Sequence, residues 1–129
     1  MYSQNVWWNV AFASPHNLVY MALMEKIQNL GNKYDADKPP MALLDPEFLE
    51  GVASVLGFGA NKYAAHNWRN GISTSRLISA AYRHLGAINK GENVDAESGL
   101  PHSYHLGCCV MFLASMLNNR PDLDDRWKA

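Results

Sequence analysis

Apolar residues recur every three or four positions in four stretches of the chain, and proline or glycine bounds these stretches. Ser14-Pro15 and Asp45-Pro46 are typical of helix N-termini, because the first side chain caps free N–H groups and proline has none to cap. Gly31 and Gly91 are typical of helix ends. The pattern predicts an all-α protein whose helices begin near residues 14, 45, 74 and 101 and pack as a small antiparallel bundle.

The composition indicates one folded domain. Of the 129 residues, 48% are hydrophobic and 18% are charged, which is enough for a single compact core. We expect one domain over 1–129, with an N-terminal arm and helix (1–37), a catalytic helical core (38–118) and a tail (119–129). The arm from Val6 to Phe12 is too aromatic to be left in water, so it is expected to pack against a neighbouring element or a partner subunit.

Charge and hydropathy disfavour several classes of partner. A net charge of -1 gives no long-range field for a nucleic acid polymer or an anionic membrane, so a small substrate is expected. No apolar run has the length of a membrane span, and the N-terminus lacks the pattern of a secretory leader. Cys108 and Cys109 are adjacent and are expected to be reduced core residues, which predicts a cytoplasmic protein.

Carboxylates and imidazoles are concentrated between two of the predicted helices, from Gly91 to His105. Divalent cations that act on phosphates bind carboxylate oxygens, and a bound cation offsets the repulsion among them. Glu92 and Asp95 are therefore candidate metal ligands. The alternative is that the acidic residues only solvate a loop, and this segment alone gives the two interpretations equal weight.

A second pair of carboxylates, Glu47 and Glu50, lies one turn apart near the start of the second helix. Such a pair can bind a metal ion, and both residues are candidate ligands and catalytic groups. A solvated helix face, with Glu47 only favouring the helix dipole, is the commoner explanation of this motif.

The segment that follows Gly57 and Gly59 is predicted to be a loop reaching to Gly71, and its composition suits a nucleotide. Lys62 can neutralise phosphate, while Tyr63, Asn67 and Trp68 can stack on a base or bond to its edge. An ordinary surface loop whose aromatic residues cover the core is equally compatible with this segment.

Two further places in the chain carry phosphate or metal candidates. Arg83 can bind a phosphate through two hydrogen bonds or form a surface salt bridge, and His84 beside it lies next to an apolar stripe. His102 and His105 fall in the first two turns of the fourth helix, where an imidazole can bind metal, carboxylate or phosphate. The sequence leaves their roles open.

An ordered set of motifs extends from about Lys38 to Leu117. In chain order they are Lys38-Pro39, Pro46-Glu47-x-x-Glu50, Phe58-Gly59-Ala60-x-Lys62-Tyr63, Asn67-Trp68, Arg83-His84, Gly91-Glu92-x-x-Asp95-x-Glu97-Ser98-Gly99 and His102-x-x-His105. Together they resemble the phage dATP/dGTP diphosphohydrolase (MazZ-like) family, which is related to the MazG-like all-α nucleoside triphosphate pyrophosphatases.

The resemblance implies hydrolysis of dGTP or dATP to the monophosphate and pyrophosphate, with two or three Mg²⁺ or Mn²⁺ ions. In a phage, the product would feed 2-aminoadenine nucleotide synthesis in the host cytoplasm. It also implies a homodimer or homotetramer whose site takes residues from a neighbouring subunit. MazG-like enzymes use an ExxE and an ExxD pair, which Glu47-x-x-Glu50 and Glu92-x-x-Asp95 match in residue type and spacing. The second pair of MazG-like enzymes lies in a helix, whereas here it falls in a predicted loop.

These expectations give each candidate a role. Metal ligands are expected among Glu47, Glu50, Glu92, Asp95 and His102, with Glu50 shared between ions and Glu47 or Glu92 orienting the attacking water. His84 is a further catalytic candidate. The substrate is expected to contact Lys38, Lys62, Tyr63, Asn67, Trp68, Arg83 and His105.

Two functions from other classes remain as alternatives. A non-enzymatic helical adaptor would bind a partner protein through the acidic loop and the aromatic residues, and it would tolerate Glu50→Gln. A phosphohydrolase of the HD type would release tripolyphosphate, but the chain has no His-Asp dipeptide.

Overall fold

The computed structural model describes residues 14–28, 31 and 33–129, and every regular element within them is a helix. The four α-helices are α1 (Pro15–Gln28), α2 (Pro46–Lys62), α3 (Thr74–Asn89) and α4 (His102–Asn119). Short 3-10 helices cover Met41–Leu43, Asn67–Asn70 and Pro121–Leu123. The prediction of an all-α protein is confirmed. The aromatic arm from Val6 to Phe12 lies outside the described residues.

The chain divides into two units, residues 1–39 and 40–129. The first contains α1, which begins as predicted, because the Ser14 hydroxyl accepts a hydrogen bond of 3.3 Å from the Asn17 N–H. Its described part ends at Gln28. Residues 29 and 30, which the predicted helix ending at Gly31 includes, lie outside the described residues.

In the second unit, α2 begins at the predicted cap. The Asp45 carboxylate accepts from the Glu47 N–H at 3.1 Å, and Pro46 is the first helical residue. The loop predicted after Gly57 and Gly59 starts later than expected, since α2 continues to Lys62. A helical glycine costs about 1 kcal/mol relative to alanine, which is too little to end a helix whose hydrogen bonds are already propagating.

Helix α3 ends as the sequence predicts. Gly91 has a φ of 90°, a left-handed conformation that glycine adopts without a steric penalty. The Gly91 N–H donates to the Ile88 carbonyl at 2.9 Å and the Glu92 N–H to the Ala87 carbonyl at 3.0 Å, which is the Schellman arrangement. The acidic segment therefore starts directly from a fixed helix end.

Helix α4 packs on both α2 and α3 and is antiparallel to each. Two glycines allow the close approach to α2, because a Cβ on Gly51 would lie 2.5 Å from the Tyr104 ring and one on Gly107 would lie 2.5 Å from Phe48. On the other side, the end of α3 meets the start of α4. The predicted antiparallel bundle is confirmed, and it brings the termini of three helices to one region.

The core between α2 and α4 contains Val52, Val55 and Cys108, packed against partly buried side chains that include Tyr104 and Phe112. Cys108 is buried and Cys109 partly buried, and both are free thiols, as predicted. Burial raises the pKa of Cys108 to about 11, so this thiol is protonated at neutral pH. Among the described residues, no helix combines the length and apolar character needed to cross a bilayer.

The tail folds back onto the start of α3. The Leu123 carbonyl accepts from the Thr74 hydroxyl at 3.2 Å, and the Asp125 carboxylate accepts from the Ser75 N–H at 2.7 Å. An acidic side chain from the far end of the chain thus caps a helix whose own preceding residue, Ser73, makes no side-chain cap bond. This contact fixes the helix that carries His84.

Candidate active site

Three potential metal ligands converge where α3 ends and α4 begins. His84 lies on α3, His102 is the first residue of α4, and Asp95 lies in the loop between them. The Nδ1 atoms of the two histidines are 2.9 Å apart, and one ligand atom from each of the three residues lies within 4.8 Å of the others. Since all three side chains are partly buried, they form a cluster rather than a solvated acidic surface.

The loop that carries Asp95 is held at both ends. The Asp95 N–H donates to the Leu100 carbonyl at 2.9 Å, and the His102 N–H donates to the Asn93 carbonyl, also at 2.9 Å. The Asp95 carboxylate accepts from the Glu97 N–H at 2.9 Å. These bonds fix the backbone of two cluster members relative to each other before any ligand binds.

His105 extends the cluster by one turn of α4. Its ring stacks on His84 with a centroid distance of 4.8 Å and an interplanar angle of 14°. Its Nε2 atom is 2.7 Å from the Ser98 hydroxyl. Burial, reinforced by the neighbouring imidazoles, lowers the pKa of His84, and burial also lowers the pKa of His105, so both rings are neutral at pH 7.

Asp95 provides the negative charge of the cluster. Its partial burial favours the protonated form, but hydrogen bonds from the backbone N–H groups of Glu97 and Ser98, together with the nearby imidazoles, outweigh burial and lower the pKa of Asp95. The carboxylate is therefore ionised at neutral pH. An ionised carboxylate beside neutral imidazoles is the protonation state that metal binding requires.

The C-terminal residue of α2 reaches the same loop. The Lys62 ammonium donates to the Glu97 carboxylate, and this hydrogen bond, with the charge of Glu97, raises the pKa of Lys62. Both side chains are largely exposed. An exposed ion pair contributes little to stability, so Lys62 can exchange Glu97 for another anion at small cost.

A cavity of about 520 Å³ joins these groups to an aromatic wall. Trp68 stacks on Phe112 of α4 with a centroid distance of 4.7 Å and an interplanar angle of 23°. The Arg69 guanidinium lies 4.4 Å from the Trp68 ring centroid. The charged, polar and aromatic residues that line the cavity are Phe58, Lys62, Tyr63, His66, Asn67, Trp68, His84, Asp95, Glu97, His105 and Phe112. Its size and lining suit a small polar ligand with an aromatic part.

Comparison with known proteins places the chain in a family. A sequence profile of the family described as dATP/dGTP diphosphohydrolase, N-terminal, matches residues 28–126. The chain belongs to this family. It is 44% identical over 100 residues to a dATP/dGTP diphosphohydrolase of Salmonella phage PMBT28, an alignment that covers 77% of this chain and 34% of the relative.

The chain thus spans about a third of the length of the curated relative it matches. No solved structure matches it. The resemblance seen in the ordered motifs is confirmed at the level of the dATP/dGTP diphosphohydrolase family, and the matched residues include every element that forms the cavity.

Several predicted site residues of this dATP/dGTP diphosphohydrolase family member lie outside the cluster. Glu47 and Glu50 are exposed on α2, and Glu92 is exposed in the turn after α3. Within the described part of the chain, these glutamates belong to no group of three ligands that could hold a metal ion. Glu50 precedes Lys62 by twelve residues, which is about 18 Å along the helix axis.

Two predicted cations also lie elsewhere. Arg83 is exposed and lines a second hollow beside α4 with Cys109 and Phe112. Lys38 belongs to the first unit, where its ammonium is 3.3 Å from the Asp35 carboxylate. The remaining predicted substrate residues, Lys62, Tyr63, Asn67, Trp68 and His105, all line the cavity.

Sequence reasoning missed four contributors to the site. Glu97 and Ser98 were part of the motif but had no assigned role, although they bond to Lys62 and His105. Phe112 was not among the predicted site residues, and it forms the wall behind Trp68. His66, which has a left-handed φ of 61°, also lines the cavity. The seven-residue spacing from His105 to Phe112, two turns on one helix face, was the available signal for the wall.

Proposed function

We propose that the protein hydrolyses dATP or dGTP to the monophosphate and pyrophosphate. One observation carries this proposal: a single cavity combines an aromatic wall with a lysine and a cluster of imidazole and carboxylate groups. A nucleotide needs both kinds of surface, because its base is flat and apolar and its triphosphate is strongly anionic. The activity named for the family and for the phage relative supports the same substrate class.

The purine base would pack against Trp68 where that ring faces the cavity. Phe112, which supports Trp68 from behind, lies seven residues after His105, about 10 Å along α4. The base and the cluster are therefore separated along one rigid helix. Asn67 can bond to the base edge and Tyr63 can contact the sugar, since both line the cavity beside Trp68.

The triphosphate would lie between Lys62 and the cluster. Lys62 would leave Glu97 and bind a phosphate oxygen, because a phosphate carries more charge than a carboxylate. Ser98 can donate a hydrogen bond to a phosphate oxygen when His105 releases it. Neutral His105 is able to accept a proton at Nε2, the atom that faces Ser98.

A divalent cation is part of the proposal, and the residues fit one. His84, Asp95 and His102 offer two ring nitrogens and a carboxylate oxygen within 4.8 Å of one another. When bound there, Mg²⁺ or Mn²⁺ would neutralise phosphate charge and lower the pKa of a water molecule. The binding of cations by Glu47, Glu50 and Glu92 stays a prediction from the sequence, and it requires ligands beyond those that the described residues bring together.

We also propose that the protein is a homodimer or homotetramer in the cytoplasm. Phe48 and Leu49 on α2 are 41% and 47% exposed, and two adjacent exposed large apolar residues favour a partner surface. The free thiols Cys108 and Cys109 favour a reducing compartment. Light scattering coupled to size exclusion would give the mass in solution, and a mass of one chain at micromolar concentration would contradict the oligomer.

The activity test uses purified protein with dGTP or dATP and either Mn²⁺ or Mg²⁺, and separates the products by anion exchange. Monophosphate and pyrophosphate are expected. Tripolyphosphate would indicate the HD-type alternative, and a folded protein with no turnover on either nucleotide would indicate the adaptor. Either result would overturn the proposed function.

The base site has its own matched variants. Trp68→Ala is expected to raise KM about tenfold or more, because an aromatic–base stack contributes about 1–3 kcal/mol. Trp68→Phe should recover most of this loss. Trp127→Ala is the control, since Trp127 is 87% exposed and does not line the cavity. Equal KM values for Trp68→Ala and Trp127→Ala would show that the base binds elsewhere.

A further inference from the structure

We propose that His84, Asp95 and His102 form a site for one divalent transition-metal ion and that this site prefers Mn²⁺ or Co²⁺ to Mg²⁺. The inference deepens the proposed function, on which it rests for the ion's purpose, but ion binding itself is independent of nucleotide. The sequence alone assigned metal binding mainly to carboxylates and gave His84 only a catalytic role. In the structure, two of the three converging ligand residues are histidines.

The spacing of the three side chains matches a shared ion. The two Nδ1 atoms are 2.9 Å apart. A carboxylate oxygen of Asp95 and one ring nitrogen of each histidine lie within 4.8 Å of one another. Two neighbouring ligands, each about 2.1 Å from one ion, would be roughly 3 Å apart. Two imidazole nitrogens that face each other so closely need either a shared proton or a shared cation. Without one, two lone pairs or two N–H groups would face and repel each other.

The backbone holds the cluster in this arrangement. This support distinguishes the cluster from polar side chains that approach one another by chance. His84 is part of α3, and His102 is anchored by its N–H bond to the Asn93 carbonyl. Asp95 is fixed by the bond to Leu100 and by the Glu97 N–H on its carboxylate. Sites whose ligands are pre-positioned lose less entropy when the ion binds.

The chemistry of the ligand set determines which ion is preferred. Mg²⁺ is bound through carboxylates, phosphates and water, and it takes imidazole poorly. Two nitrogens and one oxygen suit first-row transition ions, for which affinity at such sites rises from Mn²⁺ to Co²⁺. The neighbouring carboxylate of Glu97 is paired with Lys62, so it is not an additional oxygen ligand in this arrangement.

The test measures ion binding to the full chain without nucleotide. Mn²⁺ is titrated and free Mn²⁺ is followed by electron paramagnetic resonance, while Co²⁺ binding is followed by its visible absorption. One tight Mn²⁺ per chain is expected, together with a Co²⁺ spectrum altered by nitrogen ligands. Mg²⁺ in about 100-fold excess should displace less than half of the bound Mn²⁺. Displacement of Mn²⁺ by equimolar Mg²⁺, or no Mn²⁺ binding by folded protein, would overturn the proposal.

Variants identify the ligands. His84→Gln, His102→Gln and Asp95→Asn should each weaken Mn²⁺ binding about 100-fold or more, because even residues behind a metal ligand affect affinity 10- to 100-fold. Glu97→Gln is the control for the carboxylate in the same loop, and His16→Gln on α1 is the control for an exposed imidazole. Circular dichroism confirms the helical fold of each variant. Unchanged affinity in a folded cluster variant, or an equal loss in the controls, would contradict the ligand assignment.

The outcome for the ion site is separable from the outcome for the activity. Mn²⁺ binding that depends on the cluster, in a protein that does not turn over nucleotide, supports the ion site and overturns the proposed function. Turnover that survives the loss of Mn²⁺ binding in His102→Gln supports the proposed function and overturns the role of this site in it.

Discussion

The Glu47–Glu50 pair on α2 and the His84–Asp95–His102 cluster both contain residues that the sequence nominates as metal ligands. The glutamates are close in sequence, lie one turn apart on a single helix and are exposed. The cluster residues are as many as eighteen positions apart, come from three elements and are partly buried. Only the cluster brings three ligand atoms within 4.8 Å in the described part of the chain.

The difference shows what helical spacing can and cannot supply. Residues at positions i and i+3 of one helix share a face, so the pair follows from the sequence alone. Their helix cannot provide further ligands around the same point, because the next residues turn away. A site with ligands on several sides needs several elements to converge, and this occurs where α3 ends and α4 begins.

The largest expected effect compares one carboxylate from each region. Asp95→Asn should lower kcat by about 10²–10³, a loss similar to that of a group that stabilises charge in a transition state. Glu50→Gln should lower kcat by less than about tenfold, because the described residues of its own chain place it in no group of three metal ligands. Steady-state assays with dGTP and Mn²⁺ measure both variants. Comparable losses would show that Glu50 joins a cation site assembled between subunits.

The next largest effect concerns Lys62, the residue of α2 that is expected to bind phosphate. Lys62→Met removes the ammonium that faces Glu97 and should lower kcat/KM by about 10–10², because the phosphates lose a charge-assisted hydrogen bond. Lys33→Met is the matched control, since Lys33 pairs with Asp35 in the first unit. An equal loss in the two variants would remove Lys62 from the site.

A smaller effect tests which face of α2 is packed. Gly51→Ala would place a Cβ 2.5 Å from the Tyr104 ring and should destabilise the protein by about 1–3 kcal/mol. Gly57→Ala on the same helix meets no atom within 4 Å and should stabilise it by about 1 kcal/mol. Urea unfolding followed by circular dichroism compares them. Two equal, small changes would mean that α2 does not pack on α4 through Gly51, and Glu50 would then no longer be fixed on an outer face.

The smallest effect concerns the cap that fixes the start of α3. The hydrogen bonds from Ser75 lower the pKa of Asp125, so this carboxylate adds stability that is complete above its ordinary pKa of 3.8 and is lost as pH falls through the lower, folded value. Asp125→Ala should therefore lower Tm slightly at pH 7 and less at pH 3. Activity at pH 7 should change little, because His84 lies nine residues further along α3. A Tm difference that grows towards pH 3 would contradict the capping role.

Much of the fold follows from local patterns. The start of α2 at Asp45-Pro46 and the end of α3 at Gly91 were predictable, because caps and left-handed glycines act within one turn. The end of α2 was not predictable, since Gly57 and Gly59 stop a helix only when no packing or propagation opposes them. Lys62 is consequently a helix residue and points to the site from a rigid position.

The candidate site was predictable in its members but not in its grouping. Asp95, His102, His105, Lys62 and Trp68 were named from residue chemistry and from the resemblance, and each lies at the cavity or the cluster. The contacts of His84 with His102 and of Trp68 with Phe112 were not predicted, because each contact joins residues of different elements that are distant in sequence.

The sequence by itself determined the helices, the start of α2, the end of α3 and the supply of ionisable groups, because these depend on contacts over three or four residues. Tertiary structure alone decided that imidazoles and one aspartate, rather than the helical glutamates, form the convergent set. The physical reason is the antiparallel return of α4 along α3, closed by backbone bonds from Asp95 to Leu100 and from His102 to Asn93. That return places side chains from three elements at one point, which no spacing within a single helix can achieve.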